Sequence, residues 1–296
     1  MINRILLSEM EKFKTDYRPL PRVHRKKTSQ KGMARLEEDL TWHSSKPLDD
    51  LNVGDVLCVT YSPNVATPAS HPKYFLVNEK PETLNLSDAK KEFHKHSFCS
   101  ESFAKSYGYF PHIASGLERI DLERVIETHF VHPPDDVSNK LIDYCMRMSD
   151  FSICTKMKFG ALILGEDGKI TSAGYNNNYP SYKGNVCDPC LRIGVKSGTQ
   201  LEKNRAIHAE QWAWLSALNT KKDTMHGLLY VAGHNPDGSV FVNDTFYCTF
   251  CSRLLDGTDM LGVVTYTSQG PKFRPKPKII EESFSIILPE NNLLMR

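Results

Sequence analysis

Two short motifs in the second half of the chain contain residues that commonly bind metals. The first places His208 two residues before Glu210, and the second separates Cys248 from Cys251 by two residues. One neutral imidazole and two thiolates are good ligands for a tetrahedral Zn²⁺, and they leave a fourth position for water. On a helix, Glu210 points away from the direction of His208, so its carboxylate can take a proton from that water. The motifs therefore predict a catalytic zinc ion on His208, Cys248 and Cys251, with Glu210 as the catalytic acid and base.

Each motif opens a segment with a helical pattern. If both segments begin helices, their unpaired N–H groups and positive dipole ends face the metal and lower the pKa of the thiols. A different interpretation stays open, in which the four thiols of two C-x-x-C pairs hold a structural zinc ion. That site would use Cys187, Cys190, Cys248 and Cys251, although these pairs lie further apart than is usual in zinc ribbons. Coincidence of the two motifs is the remaining alternative.

The composition limits the class of protein further. The chain has 296 residues, eight cysteines and a formal net charge of +2, which suits one large domain or two modest ones. A charge this small argues against a wholly basic protein, so any nucleic-acid contact must come from local patches. The amino-terminal residues do not read as a signal peptide, and no apolar run approaches membrane-spanning length. We expect a reduced, cytoplasmic protein without membrane contact, in which thiols serve a metal.

The chain divides into three predicted segments. Residues 1–47 form a basic amino-terminal segment that is extended and solvated over its proline- and arginine-rich part. Residues 48–132 form a small α+β module of unknown role. Its predicted strands and helices are Val53–Tyr61 and Lys73–Val77, then Asp88–Phe98 and Leu117–Glu127. Residues 133–296 contain both motifs and form the catalytic domain.

The third segment shows the pattern of an α/β fold. Apolar residues recur at helical spacing after Pro134, where Asp135 or Asp136 can cap the helix. The order that follows is helix, strand, strand, helix, strand, helix, strand, strand, which predicts a sheet with helices on both faces. A proline-rich basic loop over 271–278 leads to a last strand near 284–288. Because that connection is short, we expect the last strand to be antiparallel.

Residues 137 to about 290 resemble the cytidine/deoxycytidylate deaminase superfamily, and most closely its deoxycytidylate branch. The H-x-E and C-x-x-C motifs match the pattern of zinc-dependent nucleobase deaminases. Further matches are Cys154 with Phe159-Gly-Ala-Leu-Ile, Gly174-Tyr-Asn176, Cys187-Asp-Pro-Cys190-Leu-Arg192, Ser197-Gly and Arg205-Ala-Ile-His208. The resemblance implies a three-layer α/β/α fold, zinc on His208, Cys248 and Cys251, and Glu210 as the proton shuttle.

The resemblance also implies two further sets of site residues. Asn176 would hydrogen-bond the sugar of a substrate, although asparagine after a strand is equally typical of a turn. Cysteines such as Cys154 and Cys187 help to bind a second, structural zinc ion, with Cys190 as a possible third ligand. Where some relatives have a further cysteine just before the H-x-E helix, this chain has Asn204. The fourth ligand of a second site is therefore missing or comes from elsewhere.

Several residues depart from the family pattern and bear on the substrate. Tyr247 replaces the usual proline before the first cysteine, and Trp212 replaces a small polar residue, where it either packs in the core or reshapes the base pocket. The arginine that grips a 5′-phosphate in relatives is replaced at 218–220 by Leu-Asn-Thr. Lys272, Arg274, Lys276 and Lys278 either supply that contact instead or form a solvated loop.

These observations predict a zinc-dependent hydrolytic deaminase of a cytosine-type nucleotide, dCMP-like, that releases ammonia. Two alternatives stay open. One is a deaminase of single-stranded DNA or RNA, held by the amino-terminal module and the basic segments. The other is a catalytically idle zinc protein that acts as a regulatory module, against which the presence of Glu210 counts. We also expect a homo-oligomer.

Overall fold

The structure of the chain, a computed structural model, describes residues 4–29, 51–62, 72–79, 117–179, 184–185, 187–195, 200, 203–245 and 248–285. The chain forms two compact units, of which one contains residues 21–130 and the other combines residues 1–20 with 131–296. This division differs from the predicted segments 1–47, 48–132 and 133–296, because the first 47 residues are shared between the two units. The predicted α/β class is confirmed by the elements below.

In chain order the helices are α1 (Arg4–Lys12), α2 (Leu122–His129), α3 (Asp135–Ser149), α4 (Ala209–Asn219), α5 (Thr249–Asp256) and α6 (Lys276–Ser285). The strands are β1 (Val23–Ser29), β2 (Val56–Ser62), β3 (Lys73–Val77), β4 (Leu117–Ile120), β5 (Lys158–Leu164), β6 (Ile170–Tyr175), β7 (Leu228–His234), β8 (Gly262–Thr267) and β9 (Gly270–Pro275).

The smaller unit contains a four-stranded sheet in the order β1-β2-β3-β4. The predicted strands near β2 and β3 are confirmed, and helix α2 adds the α part of the predicted α+β module. The basic segment predicted as extended is extended at β1, but it is part of the sheet there rather than a free solvated run, because β1 pairs in parallel with β2 from Val23 to Ser29. The helix predicted over Leu117–Glu127 begins late, because Leu117–Ile120 pairs with β3 and Asp121 caps α2 by accepting the N–H of Arg124 at 2.8 Å. The helix predicted over 88–98 lies outside the described residues.

The larger unit contains a five-stranded sheet in the order β6-β5-β7-β8-β9. Strand β5 is antiparallel to both of its neighbours, whereas β7 and β8 are parallel. Strands β6, β7 and β8 therefore point the same way and end at the same edge of the sheet. Helices α4 and α5 each begin after one of these strands, so both helix starts lie beyond this edge.

Helices cover both faces of this sheet. On one face, residues of α4, α5 and α6 form a single apolar core with alternate residues of the central strands. Its buried members are Ala161, Ile163, Ala209, Ala213, Ala217, Leu229, Val231, Cys251, Leu255, Met260, Val263 and Ile279. Helix α3 packs on the other face, to which the intervening strand residues point. The predicted three-layer α/β/α arrangement is confirmed.

Two glycines let helices approach the sheet closely. A Cβ atom on Gly160 of β5 would lie 2.1 Å from the main-chain oxygen of Cys145 in α3. A Cβ atom on Gly174 of β6 would lie 2.5 Å from the main-chain nitrogen of Ala213 in α4. Because glycine has no side chain, each helix can pack directly against the sheet at these positions. Gly174 allows this for α4, the helix that carries Glu210.

The elements that follow β8 differ from the order predicted from the sequence. The stretch predicted as a basic loop contains β9, which pairs with β8 across a tight turn that Gly270 makes with φ +95°. The last strand is therefore antiparallel as expected, but it lies earlier in the sequence. The strand predicted near 284–288 is wrong at its start, because Phe284 belongs to α6. Proline in the first turn of a helix, as at Pro277, loses no hydrogen bond.

Helix α3 starts without the side-chain cap that the sequence predicts. Its N-cap is Pro134, which makes no side-chain hydrogen bond, while Asp135 and Asp136 lie in the first turn. Negative charge in that turn still favours the helix through its dipole. Among the described residues, no helix combines the length and apolar character needed to cross a membrane.

Candidate metal centre

Two helix starts bring the candidate metal ligands together. His208 is the N-cap of α4, and its main-chain N–H donates to Oε1 of Gln211 at 3.0 Å. Cys248 is the N-cap of α5, and its sulfur accepts the main-chain N–H of Cys251 at 3.4 Å. Because both helices begin beyond the same sheet edge, their N-terminal ends converge.

A short main-chain pairing closes the long loop before α4. The N–H of Asn177 donates to the oxygen of Ile207 at 3.1 Å, and the N–H of Ile207 donates back at 2.9 Å. This pairing joins the end of β6 to the residue before His208. As a result Asn176 and His208, separated by a long polar loop in the sequence, are held at the same edge of the sheet.

The three predicted ligand residues lie close together. Nδ1 of His208 lies 3.2 Å from Sγ of Cys248 and 3.2 Å from Sγ of Cys251. Within the described part of the chain, these three residues form the group of histidine, cysteine and acidic side chains whose ligand atoms all lie within 4.8 Å of one another. The four-thiolate alternative with Cys187 and Cys190 does not form such a group.

Glu210 lies beside the ligands in a nearly closed environment. It is 9% exposed, and its carboxyl group is hydrogen-bonded to the thiol of Cys251. Burial raises the pKa of Glu210 above its ordinary value, and the nearby Cys248 adds to this effect. A carboxyl group with a raised pKa can hold a proton as well as release one near neutral pH.

The charges of the site favour a bound cation. The pKa of Cys248 lies well below its ordinary value, because Cys251 hydrogen-bonds its sulfur and His208 lies beside it. Burial and the charge on Cys248 raise the pKa of Cys251 well above its ordinary value. Although burial lowers the pKa of His208, the charge and hydrogen bond of Cys248 outweigh burial and raise it to about 9.

This donor set fits a zinc ion. Two sulfurs and a carboxyl group lie together with little access to water, which makes their negative charges costly. A divalent cation on the imidazole and both thiolates would compensate those charges. An imidazole with two thiolates is also a ligand set that zinc favours.

Asn176 has a structural partner that orients its side chain. Its Oδ1 accepts the main-chain N–H of Phe159 at 2.5 Å, while its own N–H donates to the oxygen of Phe159 at 3.2 Å. The side chain is buried, with 6% exposure. The amide thus anchors the start of β5 and is left with Nδ2 as its donor group.

The cysteines predicted for a second metal are only partly brought together. Cys154 and Cys187 are hydrogen-bonded to each other and pack with Ala206 in a small cluster. Cys190 does not complete a group of three with ligand atoms inside 4.8 Å. Cys187 is buried, and the hydrogen bond from its thiol lowers the pKa of Cys154 to about 6. The second metal site stays a prediction.

Two of the four basic residues predicted as phosphate contacts have other partners. Arg274 is 3% exposed and donates to the main-chain oxygens of Asn243 and Asp244 and to Oγ1 of Thr265. Nζ of Lys276 donates to the main-chain oxygen of Thr258 at 2.9 Å. Burial is the largest cause that lowers the pKa of Lys276. Lys272 and Lys278 are exposed.

Of the two residues near the motifs that depart from the family pattern, the structure describes Trp212 but not Tyr247. Trp212 packs against β6, since a Cβ on Gly174 would lie 2.6 Å from its own Cβ. Its indole Nε1 is buried and has no partner among the described residues. The contact with Gly174 favours the interpretation of Trp212 as a packing residue. Tyr247 lies outside the described residues.

Sequence reasoning missed contacts that position the candidate ligands. Nδ2 of Asn204 contacts Nε2 of His208, the ring nitrogen that faces away from the thiols. Arg274 holds the segment that leads to Cys248. Asn204 lies four residues before His208 but outside α4, and Arg274 lies far along the chain, so neither contact has a signal in the sequence.

The converging helix starts and the buried acid define an α/β domain with a candidate metal centre. Residues 136–267 match the family model described as the cytidine and deoxycytidylate deaminase zinc-binding region. This region of the chain is therefore similar to the zinc-binding region of cytidine and deoxycytidylate deaminases. No curated protein matches the sequence of the chain.

Solved structures with a similar arrangement cover less than half of the chain. The dCMP deaminase of the cyanophage S-TIM5, in complex with dCMP and dUMP, has a TM-score of 0.35 and 19% identity over 45% of this chain and 83% of that one. Its apo form has a TM-score of 0.34 and 17% identity, covering 46% and 86%. The cytidine deaminase of Mycobacterium leprae has a TM-score of 0.28 and 18% identity, covering 45% and 90%.

Proposed function

We propose that this protein deaminates a cytosine-type nucleotide hydrolytically, giving the uracil form and ammonia. In this proposal His208, Cys248 and Cys251 hold a catalytic Zn²⁺, and Glu210 is the catalytic acid and base. The observation that carries the proposal is the buried carboxyl group of Glu210 against the thiol of Cys251, beside an imidazole nitrogen 3.2 Å from two sulfurs. The family match of residues 136–267 supports it.

Zinc, when bound, supplies the Lewis acidity that brings the pKa of water towards neutrality. A carboxylate oxygen of Glu210 then accepts a proton from the attacking water. Glu210 delivers this proton to N3 of the ring, takes the second proton of the water, and passes it to the amino group. The balance is one water consumed, one carbonyl formed at C4, and one ammonia released. The raised pKa of Glu210 suits a group that must carry a proton between these atoms.

The dCMP-like substrate is the finer part of the proposal. Asn176 would donate from Nδ2 to the sugar, because its Oδ1 is engaged by Phe159. Of the predicted basic set, the exposed Lys272 is the candidate for phosphate contact, because Arg274 and Lys276 bind the main chain of the protein itself. Lys278 lies in α6, which begins beside the start of β8, at the sheet edge opposite the metal ligands. The family match includes both cytidine and deoxycytidylate deaminases, so the phosphate state needs a direct measurement.

The test is an ammonia-release panel with zinc analysis of the same preparations. The substrates are dCMP, dCTP, cytidine, deoxycytidine, guanine, adenosine and single-stranded oligonucleotides. We expect turnover of dCMP by the wild-type protein and a loss of at least about a hundredfold in Glu210→Gln, with zinc retained. Glu281→Gln, an exposed carboxyl on α6, is the matched control and should leave turnover unchanged.

Other outcomes would replace the proposal. Turnover of oligonucleotides alone, with binding weakened by salt, would indicate a polynucleotide deaminase. A zinc-loaded protein without activity on the whole panel would indicate a regulatory module. Wild-type rates in Glu210→Gln would remove the role assigned to Glu210.

A further inference from the structure

A cleft in the larger unit opens between α3 and the amino-terminal segment that contains α1. Its volume is about 580 Å³, which lies in the range of pockets that hold small molecules. Helix α3 covers the face of the sheet opposite to α4 and α5, at whose starts the candidate metal ligands lie. None of those ligands is among the described residues that line the cleft. The cleft is therefore a separate candidate for ligand binding.

Two contacts fix how the walls of the cleft face each other. Nη1 of Arg147 donates to Oε2 of Glu9 at 2.8 Å. The rings of Phe13 and Tyr144 meet edge to face, with their centroids 6.1 Å apart. The second contact lies later than the first in the amino-terminal segment and earlier in α3, so the two segments run in opposite directions. As a result, the end of α1 and the residues that follow it approach the part of α3 that carries Lys140.

The two carboxylates that line the cleft share one cation. Nη1 of Arg147 lies 2.8 Å from Oε2 of Glu9 and 3.8 Å from Oδ2 of Asp143. The hydrogen bond with Glu9 is the largest cause that raises the pKa of Arg147 above its ordinary value. Both carboxylates are thus engaged by Arg147, and their negative charge is largely offset there.

Three lysines give the cleft an excess of positive charge. Lys12, Lys14 and Lys140 line it and are exposed. Among the described residues, their ammonium groups have neither a carboxylate partner nor a hydrogen bond. Four cationic side chains against two carboxylates give the lining a net charge of +2. A concave surface with an excess of one sign of charge concentrates counter-ions, so the cleft favours an anion.

Tyr144 adds a hydrogen-bond donor to the lysines. Its side chain lines the cleft and is only 4% exposed. Within the described part of the chain its hydroxyl has no hydrogen-bond partner, and the hydroxyl oxygen is not itself a fully buried atom. Burial is the largest cause that raises the pKa of Tyr144 above its ordinary value, so the hydroxyl keeps its proton at neutral pH. This donor is therefore available to an acceptor oxygen in the cleft.

The chemistry of these groups matches phosphate better than a carboxylate. A phosphate group on a molecule carries roughly two negative charges and three strong acceptor oxygens at neutral pH, whereas a carboxylate carries one charge on two oxygens. Three lysines around one space call for more charge than a single phosphate group supplies. We propose that the cleft between α1 and α3 binds a small anion with two or more phosphate groups, to which Tyr144 donates a hydrogen bond while the three lysines balance its charge. This site goes beyond the proposed deamination and uses none of its residues.

Inorganic tripolyphosphate is the probe for this site, and orthophosphate is the reference with a single group. Isothermal titration calorimetry on the full-length chain at low ionic strength measures the affinity of both. We expect tripolyphosphate to bind at least about tenfold more tightly than orthophosphate, because more charge faces the lysines. Added salt should weaken the binding.

The hydroxyl of Tyr144 can be removed without disturbing the wall of the cleft. Tyr144→Phe keeps the ring that meets Phe13 and loses only the donor. The affinity for tripolyphosphate should fall about tenfold, as expected for the loss of a hydrogen bond to a charged group. The thermal unfolding midpoint of this variant, measured beside the wild type, shows that the fold is kept.

The lysines are tested by a pair of double variants with the same change in net charge. Lys12→Met/Lys140→Met removes two exposed cations from the cleft and should lower the affinity by about tenfold or more. Lys221→Met/Lys222→Met removes two exposed cations just after α4, outside the cleft, and should leave the affinity unchanged. Because all four positions are exposed, both variants should fold.

The outcomes that contradict the proposal are distinct. The site is overturned if tripolyphosphate does not bind, or if it binds equally to the wild type, Tyr144→Phe and Lys12→Met/Lys140→Met. Equal affinities for orthophosphate and tripolyphosphate would overturn the requirement for two or more phosphate groups. Displacement of tripolyphosphate by a single-stranded oligonucleotide at a lower phosphate concentration would assign the cleft to nucleic acid instead. None of these measurements depends on zinc or on ammonia release, so their failure leaves the proposed deamination untouched.

Discussion

Arg274 on β9 donates a hydrogen bond to the main-chain oxygen of Asp244, in the segment that runs from β7 to Cys248. The same guanidinium bonds the oxygen of Asn243 and Oγ1 of Thr265, and its Nε lies 3.4 Å from Oε2 of Glu282. A planar group with five donors can hold several acceptors at once in a fixed geometry. We infer that Arg274 secures the approach to one metal ligand from an edge strand of the sheet.

Replacing Arg274 should therefore affect both stability and metal binding. Arg274→Met removes these hydrogen bonds and the ion pair with Glu282, at a cost of about 2–4 kcal/mol in the free energy of unfolding. Denaturant unfolding measures that loss, and chelator competition should show weaker zinc binding. Lys272→Met, an exposed position of the same strand, should change neither quantity. Equal zinc affinity in Arg274→Met and the wild type would limit Arg274 to a role in stability.

Gly174 offers a test of how closely α4 must approach the sheet. In Gly174→Ala the new Cβ would lie 2.5 Å from the nitrogen of Ala213, so the helix must shift. We expect a loss of about 1–3 kcal/mol in the free energy of unfolding, as is usual for overpacking. Because α4 also carries Glu210, turnover per folded molecule should fall as well.

The matched control for Gly174 is Gly257→Ala. A Cβ on Gly257 would meet its nearest neighbour, the oxygen of Leu254, at an ordinary 3.6 Å. This variant should therefore unfold close to the wild-type denaturant midpoint. If Gly174→Ala is as stable and as active as Gly257→Ala, the close packing of α4 does not position Glu210.

The site could be predicted from the sequence because its chemistry is local. His208 and Glu210 lie within one turn, and Cys248 and Cys251 within another, so each pair depends on one helix start. The apolar runs of the central strands are equally local, since strands buried on both faces need a continuous apolar sequence. These features can be recognised in the sequence without knowledge of contacts to residues far along the chain.

The strands that were not predicted depend on partners far along the chain. Strand β1 contains His24 and Arg25 and lacks an apolar pattern, and it exists as a strand because β2 supplies its hydrogen bonds. Strand β9 has Pro271 and Pro275 at its ends, which indicate a loop until the turn at Gly270 pairs it with β8. Contacts such as that between Arg274 and Asp244 are invisible for the same reason, because tertiary pairing overrides local propensity.

Zinc content should distinguish the two sets of cysteines. Cys251→Ser removes a ligand of the candidate catalytic metal and should lose that zinc together with all turnover. Cys187→Ser removes the hydrogen-bond partner of Cys154. Because Cys187 is not a ligand of the candidate catalytic metal, this variant should keep the catalytic zinc and its turnover per bound ion. Metal analysis of both variants beside the wild type measures this difference. If Cys251→Ser keeps a full equivalent of zinc and Cys187→Ser does not, the catalytic and structural assignments must be exchanged.

Two substitutions separate the structural role of Asn176 from its proposed role in binding the substrate. Asn176→Ala leaves the partly buried N–H of Phe159 without this acceptor, which should cost about 1–3 kcal/mol in the free energy of unfolding. Asn176→Asp keeps an acceptor for that N–H but loses Nδ2, the donor assigned to the sugar. We therefore expect Asn176→Asp to fold with most of the wild-type stability and to show a raised KM for the nucleotide. Steady-state kinetics beside denaturant unfolding separate the two effects, and a wild-type KM in Asn176→Asp would leave Asn176 with its structural role alone.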